Sequence, residues 1–256
     1  MPAWNADLYL KFANERTQPA LDLINRINLD APQRIVDLGC GPGNSTEALR
    51  SRWPDATIIG VDSSAQMIEA ARQAYPNGIW QTADAAEWTS GEPLDLVFSN
   101  AMLQWLREHA KTCCRWFDQV RPGGVLAVQM PSHYDSPLQM EIIEVSADPR
   151  WNDRMDSARA ALTKHPPSFY YDILQSAASR MELWETTYYH AFKGPEAVVE
   201  WFRGTGLRPF LEALSSDEER SRFEQMLLDR YQVSYARRAS GKVLFPFRRL
   251  FFVAYR

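Results

Sequence analysis

Short apolar runs alternate with amphipathic stretches from residue 34 onward. Such alternation indicates strands that are connected by helices. The apolar runs predict buried parallel strands at Ile35–Leu38, Thr57–Val61, Leu94–Ser99 and Val125–Met130. The amphipathic stretches predict helices over Ser45–Trp53, Ser64–Tyr75 and His109–Val120. This order and spacing predict a doubly wound α/β sheet with helices on both faces.

The pattern changes after Met130. The Pro-Gly-Gly at residues 122–124 predicts a turn before the last strand of the series, and the prolines of residues 131–170 predict loops and short helices. Later segments predict a helix over 170–179, a strand over Glu182–Phe192, mainly helical structure over 194–240 and a final strand over Arg249–Tyr255. We expect the two late strands to extend one edge of the sheet.

The first 30 residues predict a separate helical cap. Apolar side chains recur at helical spacing within Ala6–Glu15, and Thr17 can cap a second helix that has Pro19 in its first turn. These helices either pack on the core or close as a lid over a bound ligand. In the second case they would bring Tyr9, Phe12 and Arg16 to the ligand.

Composition and charge narrow the class of protein. The chain has 256 residues, of which 45% are hydrophobic and 23% charged, as is usual for a globular protein. Its net charge is −4, and the sequence has no basic stripe of the kind that would predict a nucleic-acid partner. Three cysteines are too few for a disulfide framework, and neither they nor the four histidines have metal-ligand spacing. There is no signal-peptide pattern and no apolar run of the ~20 residues that a membrane span needs. We expect a cytoplasmic monomer without metal, membrane or nucleic acid.

The stretch RIVDLGCGPGNST at residues 34–46 predicts a site for a nucleotide-type cofactor. Asp37 ends a strand, glycines follow at Gly39, Gly41 and Gly43, and a helix opens at Asn44. Glycine permits backbone angles that a Cβ forbids and allows a ligand to lie against the main chain. The first turn of the helix adds unpaired N–H groups and the positive end of its dipole.

The glycine spacing and Asp37 favour S-adenosylmethionine over NAD. Dinucleotide sites have the spacing G-x-G-x-x-G, whereas this loop reads G-x-G-x-G. A carboxylate repels a pyrophosphate but attracts the ammonium group of S-adenosylmethionine. Asp62 ends the second strand, where it can accept both ribose hydroxyls, and Asp84 follows the third, where it or the Ala85 backbone can meet the adenine amine. A single Asp at a strand end is more often a helix cap, but three in succession predict one site.

These motifs carry a family resemblance. DLGCGPG, VDSSAQMI, TADAAEW, DLVFSNAMLQWL and VRPGGVLAVQMP resemble the ordered motifs of class I S-adenosylmethionine-dependent methyltransferases. WNADLYLKFANERTQPA, TTYYHAF, WFRGTGLRPFLEAL and FPFRRLFFVAYR resemble the family of trans-aconitate 2-methyltransferases, so that the similarity covers essentially the whole chain. The resemblance implies a Rossmann-like class I methyltransferase fold: a mostly parallel seven-stranded sheet with helices on both faces, an N-terminal helical lid and a helical insertion before the last strand.

The resemblance also implies a division of labour within one compact domain. Residues 1–30 would be the helical cap, 31–130 the cofactor-binding core and 131–256 the substrate-selecting part. The positions that match cofactor-binding motifs are Asp37, Gly39, Gly41, Gly43, Asp62, Ser63, Met67, Asp84, Ala85, Asn100 and Gln104. The positions expected to bind the acid are Tyr9, Arg16, Trp105, Tyr188, His190, Arg208 and Arg248, with Tyr189, Arg203 and Arg249 as further candidates. Each arginine has an alternative role in a surface ion pair, and Trp105 and His190 have alternative roles in the core.

The reaction of the family converts a carboxylate into its methyl ester and releases S-adenosylhomocysteine. A carboxylic acid has a pKa of about 4 and is ionised at neutral pH, so no general base and no catalytic residue are expected. A tricarboxylate such as trans-aconitate instead needs cations, and the planar fork of arginine pairs well with carboxylate. Methylation of another small carboxylic acid or metabolite, and non-catalytic binding of S-adenosylmethionine, remain alternatives.

Overall fold

Seven strands form one sheet in the computed structural model, which describes residues 13–256 and the side chains from residue 17 onward. The strands are β1 (Arg34–Leu38), β2 (Thr57–Asp62), β3 (Ile79–Thr82), β4 (Leu94–Asn100), β5 (Val120–Pro131), β6 (Arg180–Phe192) and β7 (Val243–Tyr255). Their order is β3-β2-β1-β4-β5-β7-β6, and the first five are paired in parallel. Gly123 bonds to Arg256 and Ser132 to Arg248, so β7 runs antiparallel to β5. The predicted mostly parallel, seven-stranded sheet is confirmed.

Helices connect most of these strands. They are α1 (Ala13–Arg26), α2 (Asn44–Arg52), α3 (Ala65–Ala74), α4 (His109–Asp118), α5 (Pro137–Ser146), α6 (Asp156–Arg159), α7 (Pro167–Leu174), α8 (Pro195–Arg203), α9 (Arg208–Glu212) and α10 (Asp217–Ser234), with 3-10 helices at Leu103–Trp105 and Asn152–Arg154. Within the described part of the chain, no helix has both the length and the apolar character that crossing a membrane requires.

The chain divides into two compact units. The first contains the described residues up to Pro131 together with His165–Thr186 and Leu250–Arg256, and the second contains Ser132–Lys164 and Thr187–Arg249. Strands β6 and β7 therefore belong partly to each unit. The functional division into a cap, a cofactor core and substrate-selecting segments stays a prediction.

In the first unit, β1 and β4 are buried along nearly their whole length. Consecutive residues of a strand point to opposite faces of the sheet, so continuous burial means that both faces are covered. Helices α1 and α4 contact β5, while α2 and α3 contact β2. Val97 of β4 and Trp116 and Phe117 of α4 belong to one buried apolar cluster. This packing holds the carboxyl ends of the central strands in place.

In the second unit, α10 packs against α5 and α8. Ser216 caps α10 by accepting a hydrogen bond from the Glu219 backbone N–H at 3.2 Å. The Tyr231 hydroxyl donates to the Leu138 carbonyl at 2.8 Å, and Arg230 donates to Glu141 at 2.8 Å. These contacts tie α10, which lies within the segment predicted to be mainly helical, to the rest of its unit.

Several predicted boundaries are wrong. Thr17 does not cap a second helix, because α1 already runs from Ala13 and holds Thr17 and Pro19 in its interior. The Pro-Gly-Gly does not form a turn before a strand, because β5 already begins at Val120 and contains it. The register between β4 and β5 shifts at this point, and Gly123 has φ 79°.

The ends of the later elements also differ from the prediction. The helix expected over 170–179 is α7, which starts at Pro167, a residue that suits the first turn. The last strand starts at Val243 and not at Arg249, because Val243, Phe245 and Phe247 are buried alternately with more exposed neighbours. Most of the helix predicted over Ala6–Glu15 lies outside the described residues.

Candidate functional site

The strand order creates a crevice at the carboxyl ends of β1 and β4. Their connections leave in opposite directions across the sheet, which makes this the topological switch point where open α/β sheets bind ligands. Leu38 is paired with Val61, Asp62 with Thr82, and Asn100 with Gln129. The ends of these strands therefore lie along one edge of the sheet, as the sequence predicted.

The glycine loop is anchored to β2 and open at its tip. The N–H groups of Gly39 and Cys40 donate to the Val61 carbonyl at 2.8 and 3.1 Å. Gly43 has φ 95°, and a Cβ there would lie 2.7 Å from the Trp80 ring. Gly41 has φ 55°, but a Cβ there would meet nothing within 4 Å among the residues that the structure describes. Trp80 thus packs behind the loop, and the open space at Gly41 is where a ligand can approach the backbone.

Asp37 is fully buried at the end of β1, with 0% of its surface exposed. Its Oδ2 accepts hydrogen bonds from the hydroxyls of Ser45 and Thr46, both at 2.6 Å. No residue of the described chain donates to Oδ1. Burial raises the pKa of Asp37 from 3.8 to about 6, although the two hydroxyls act to lower it. A buried carboxylate oxygen that lacks a donor is a fitting acceptor for the ammonium of a ligand.

Asp62 supports the loop and keeps acceptor capacity. Its Oδ2 accepts from the Gly41 N–H at 3.0 Å, and its Oδ1 accepts from the Ser64 N–H at 2.8 Å. Each carboxylate oxygen has a second lone pair, which can accept a hydroxyl. Burial raises the pKa of Asp62, with both backbone hydrogen bonds opposing the shift. Of its neighbours, Ser63 is exposed and Met67 is buried.

Asp84 acts as a turn cap in this structure. Its carboxylate accepts from the Ala86 N–H at 2.9 Å, and its carbonyl accepts from the Trp88 N–H at 2.8 Å. Ala85 is buried, and its carbonyl accepts from the Trp116 indole at 2.9 Å. The carbonyl of Asp62 accepts from the Ala83 N–H at 3.1 Å, which holds this turn beside the end of β2. The exposed Asp84 thus has the capping role that is the alternative to cofactor binding, and its turn is hydrogen-bonded to the end of β2 at Asp62.

A strained turn follows β4. Ala101 has φ 57°, a conformation that costs about 1–2 kcal/mol for a residue with a Cβ. The Gln104 amide donates to the Ala101 carbonyl at 2.7 Å. The side-chain oxygens of Asn100 and Gln104 are buried, and nothing in the described part of the chain donates to them. Strain of this kind is found at functional sites, where surrounding structure enforces it.

Parts of α1, the glycine loop, the start of α2 and the end of β4 line one cavity of the first unit. Its lining residues are Thr17, Ala20, Gly39, Cys40, Pro42, Asn44, Ser45 and Asn100. The unpaired groups around it are acceptors, which suits a ligand that donates through an ammonium. The residues present therefore fit S-adenosylmethionine.

The sequence did not single out several of these residues. Ser45 and Thr46 lie in the first turn of α2, where the sequence NST predicts a helix start and nothing more. Nothing local to Ala101 marks its left-handed backbone. Thr17 and Ala20 reach the cavity because α1 is continuous through them.

The predicted acid-binding residues are distributed over both units. Trp105 ends the 3-10 helix after β4 in the first unit. Tyr188 and His190 lie on one face of β6 in the second unit, with ring centroids 6.4 Å apart, and Tyr189 on the opposite face is 64% exposed. Tyr9 lies outside the described residues, as does the side chain of Arg16.

The arginine candidates behave differently from one another. Arg203 makes a bidentate ion pair with Glu224 at 2.6 and 2.8 Å. This pair is the alternative to substrate binding that the sequence leaves open for each arginine. Arg208 has its Nε 3.8 Å from Glu212, and burial lowers its pKa. Arg248 donates to the Ser132 carbonyl at 2.7 Å and pairs with Asp135.

Comparison with known proteins gives relatives over the whole chain. Residues 35–124 match the family model described as a methyltransferase domain. The chain is 47% identical to the trans-aconitate 2-methyltransferase of Azoarcus sp. (strain BH72), with 100% of both chains covered. It is 45% identical to the enzyme of that name from Methylobacterium nodulans (strain LMG 21967 / CNCM I-2342 / ORS 2060), with 100% of this chain and 99% of the relative covered.

Solved structures share the fold. A putative methyltransferase (BH2331) from Bacillus halodurans C-125 superposes with a TM-score of 0.60 at 13% identity, covering 93% of this chain and 98% of that one. Haemonchus contortus phosphoethanolamine N-methyltransferase 2, in complex with S-adenosyl-L-methionine, superposes with a TM-score of 0.55 at 16% identity, covering 93% and 52%.

Proposed function

This chain belongs to the family of trans-aconitate 2-methyltransferases, and from that premise we propose that it forms the monomethyl ester of trans-aconitate from S-adenosylmethionine. The observation that carries the proposal is identity of 47% over the full length of a relative with this name. The similarity therefore includes the segments outside the cofactor motifs. The cavity at the switch point, whose lining includes the unpaired side-chain oxygen of Asn100, supports the cofactor half of the proposal.

The cofactor would be held along the carboxyl edge of the sheet. We assign the methionine end to Asp37, the glycine loop, Asn100 and Gln104. The three side chains keep oxygens to which the described chain donates no hydrogen bond, and Gly39 and Asn100 line the cavity. Asp62 would accept the ribose hydroxyls, Ser63 and Met67 would flank the adenosine, and Asp84 with Ala85 would meet the adenine. When bound, S-adenosylmethionine would supply a methyl group on a positively charged sulfur. A carboxylate oxygen would bond to the methyl carbon as the carbon–sulfur bond breaks, and S-adenosylhomocysteine would leave.

The remaining task of the protein is to bind and orient the acid. The acceptor carboxylate is already ionised at neutral pH, so no residue needs to remove a proton. Holding the reacting groups in line can contribute effective molarities on the order of 10⁵–10⁸ M. The residues proposed for this task are Tyr9, Arg16, Trp105, Tyr188, His190, Arg208 and Arg248.

A methyl-transfer assay tests the proposal. The purified protein is incubated with methyl-labelled S-adenosylmethionine and a panel of di- and tricarboxylates, and base-labile methyl ester is counted. We expect ester formation with trans-aconitate at a higher kcat/KM than with the other acids. Methylation of a different acid, with none of trans-aconitate, would contradict the substrate and leave the methyltransferase intact. Calorimetric binding of S-adenosylmethionine without ester formation on any acid would indicate a non-catalytic binding module.

A further inference from the structure

The imidazole of His109 is buried in the first turn of α4, and both of its nitrogens are hydrogen-bonded. Its Nδ1 lies 2.7 Å from the Tyr170 hydroxyl, and its Nε2 lies 3.1 Å from the Leu106 carbonyl. A carbonyl only accepts hydrogen bonds, so Nε2 carries the proton and Nδ1 accepts from the tyrosine. Burial lowers the pKa of His109 to about 4, and nearby His165 acts in the same direction, so the imidazole is neutral at pH 7. The two partners therefore fix both its tautomer and its orientation.

Tyr170 is a rigid anchor for this imidazole. It is fully buried in α7, which contacts α4 within the first unit. Its ring centroid lies 5.8 Å from that of His109, and 5.1 Å from that of Phe252 in a stacked arrangement on β7. A side chain whose rotamer is held by core packing can in turn hold a functional group in place. The position of the His109 Nε2 is thus set by the core of the first unit.

The loop of residues 101–108, between β4 and α4, needs such a restraint. It begins at Ala101 with a left-handed backbone, which persists only where the surrounding structure enforces it. Its short 3-10 helix ends at Leu106, whose N–H donates to the Leu103 carbonyl at 3.0 Å. That hydrogen bond joins close neighbours and does not tie the loop to the core. The bond from His109 to the Leu106 carbonyl does, because His109 is itself held by α7.

We propose that His109 is a positioning residue for methyl transfer, which holds the loop of residues 101–108 through the Leu106 carbonyl. The proposal rests on the function proposed above, in which Gln104 and Trp105 of this loop lie beside the cofactor and the acid. Both nitrogens of His109 are engaged, so it acts through the loop and does not remove a proton. The effect on rate is steep, because a displacement of about 1 Å in the reacting groups can cost on the order of 100-fold.

Two amide variants each keep one of the two hydrogen bonds. In His109→Asn the side-chain oxygen can accept from Tyr170, but the amide is too short to reach the Leu106 carbonyl. In His109→Gln the amide nitrogen reaches the place of Nε2 and can donate to that carbonyl. We expect the single-turnover rate of methyl transfer to trans-aconitate to fall about tenfold or more in His109→Asn and to stay within about threefold of the wild type in His109→Gln.

The Kd for S-adenosylhomocysteine, measured by calorimetry, should change less than about threefold in both variants, because Asp37 and Asp62 lie outside the loop. Trp53→Phe is the matched control. Trp53 is also buried, and its indole donates to the Leu29 carbonyl at 3.2 Å, at the end of α2 that precedes β2. This variant should lose stability and keep the wild-type rate of transfer.

A purely structural role predicts that activity follows stability. Equal transfer rates in the two amide variants, or a loss of affinity for S-adenosylhomocysteine as large as the loss of rate, would overturn the proposal and leave the methyltransferase function standing. If the wild type methylates a different acid of the panel and the variants differ on that acid as expected, the substrate fails and the role of His109 stands. If the wild type methylates no acid, both are overturned.

Tyr170→Phe tests the same proposal if His109→Asn does not fold. It keeps the ring that stacks on Phe252 and removes the hydroxyl that orients the imidazole. We expect the rate of methyl transfer to fall about threefold or more, because the hydrogen bond to the Leu106 carbonyl loses its anchor. An unchanged rate would overturn the proposal.

Discussion

The variant Asp37→Asn should change the free energy of unfolding and the affinity for the cofactor in opposite directions, so the two roles of Asp37 can be measured separately. The carboxylate is fully buried, and only its Oδ2 is paired within the described chain, by Ser45 and Thr46. Asn has nearly the same shape and keeps one oxygen that can accept from both hydroxyls. Its amide then occupies the place of the unpaired Oδ1.

The effect on stability follows from the pKa. Burial raises the pKa of Asp37 from 3.8 to about 6, which corresponds to a penalty of about 3 kcal/mol for the ionised form at neutral pH. Asn removes this penalty but buries an unpaired N–H group, which costs about 1–3 kcal/mol. We therefore expect the free energy of unfolding at pH 7.5 to match that of the wild type or to exceed it by up to about 2 kcal/mol.

The pH dependence has a definite sign. A carboxyl group whose pKa is raised on folding binds more protons in the native state between the two pKa values. The contribution of Asp37 to stability is therefore complete below pH 3.8 and is lost as the pH rises through about 6. Urea unfolding between pH 4 and pH 7.5 should show this slope in the wild type and not in Asp37→Asn.

Cofactor affinity should change in the opposite direction to stability. Loss of a charge-assisted hydrogen bond to the ammonium costs about 1.5–3 kcal/mol, or roughly tenfold to 100-fold in the Kd for S-adenosylhomocysteine, measured by calorimetry. Unchanged affinity, or destabilisation by more than about 2 kcal/mol with the wild-type pH slope retained, would refute the reasoning.

Asp95→Asn is the matched control. Asp95 is also buried, but it lies near the amino end of β4, where its Oδ2 accepts from the N–H groups of Gln33 at 2.9 Å and Arg34 at 2.8 Å. Burial acts to raise its pKa, but these bonds and the pairing with Arg121 outweigh that and leave the pKa below its usual range. The variant should lose stability and keep its affinity for S-adenosylhomocysteine.

Two further predictions concern the cofactor loop. Gly41→Ala adds a methyl group at φ 55°, in space that no described residue fills, so we expect the free energy of unfolding to fall by about 1–2 kcal/mol. Steric overlap with the ligand should raise the Kd for S-adenosylhomocysteine tenfold or more. A change in stability without a change in Kd would show that no ligand approaches this backbone. Asp62→Ala removes the acceptor for the Gly41 N–H and the proposed ribose contacts, and calorimetry should show affinity weakened by roughly 1–3 kcal/mol. An unchanged Kd would remove Asp62 from the site.

The proposed cofactor site was predictable because most of its residues lie close together in the sequence. Asp37, the glycine loop and the start of α2 are contiguous in the chain, and parallel strands bring Asp62 to the same edge of the sheet. The apolar runs predicted most central strands, since strands buried on both faces are continuously apolar. Boundaries failed where context overrode a local pattern, as at Pro19 inside α1.

The sequence by itself therefore determined the fold class, the cofactor and the edge of the sheet where it is expected. Only the tertiary structure decided which oxygen of Asp37 lacks a donor, and that Arg203 is paired with Glu224. It also decided that His133 is buried against Phe202 and Phe247 in a positive field. The reason is physical: burial and electrostatic potential at a residue are set by groups far away along the chain, which no local pattern encodes.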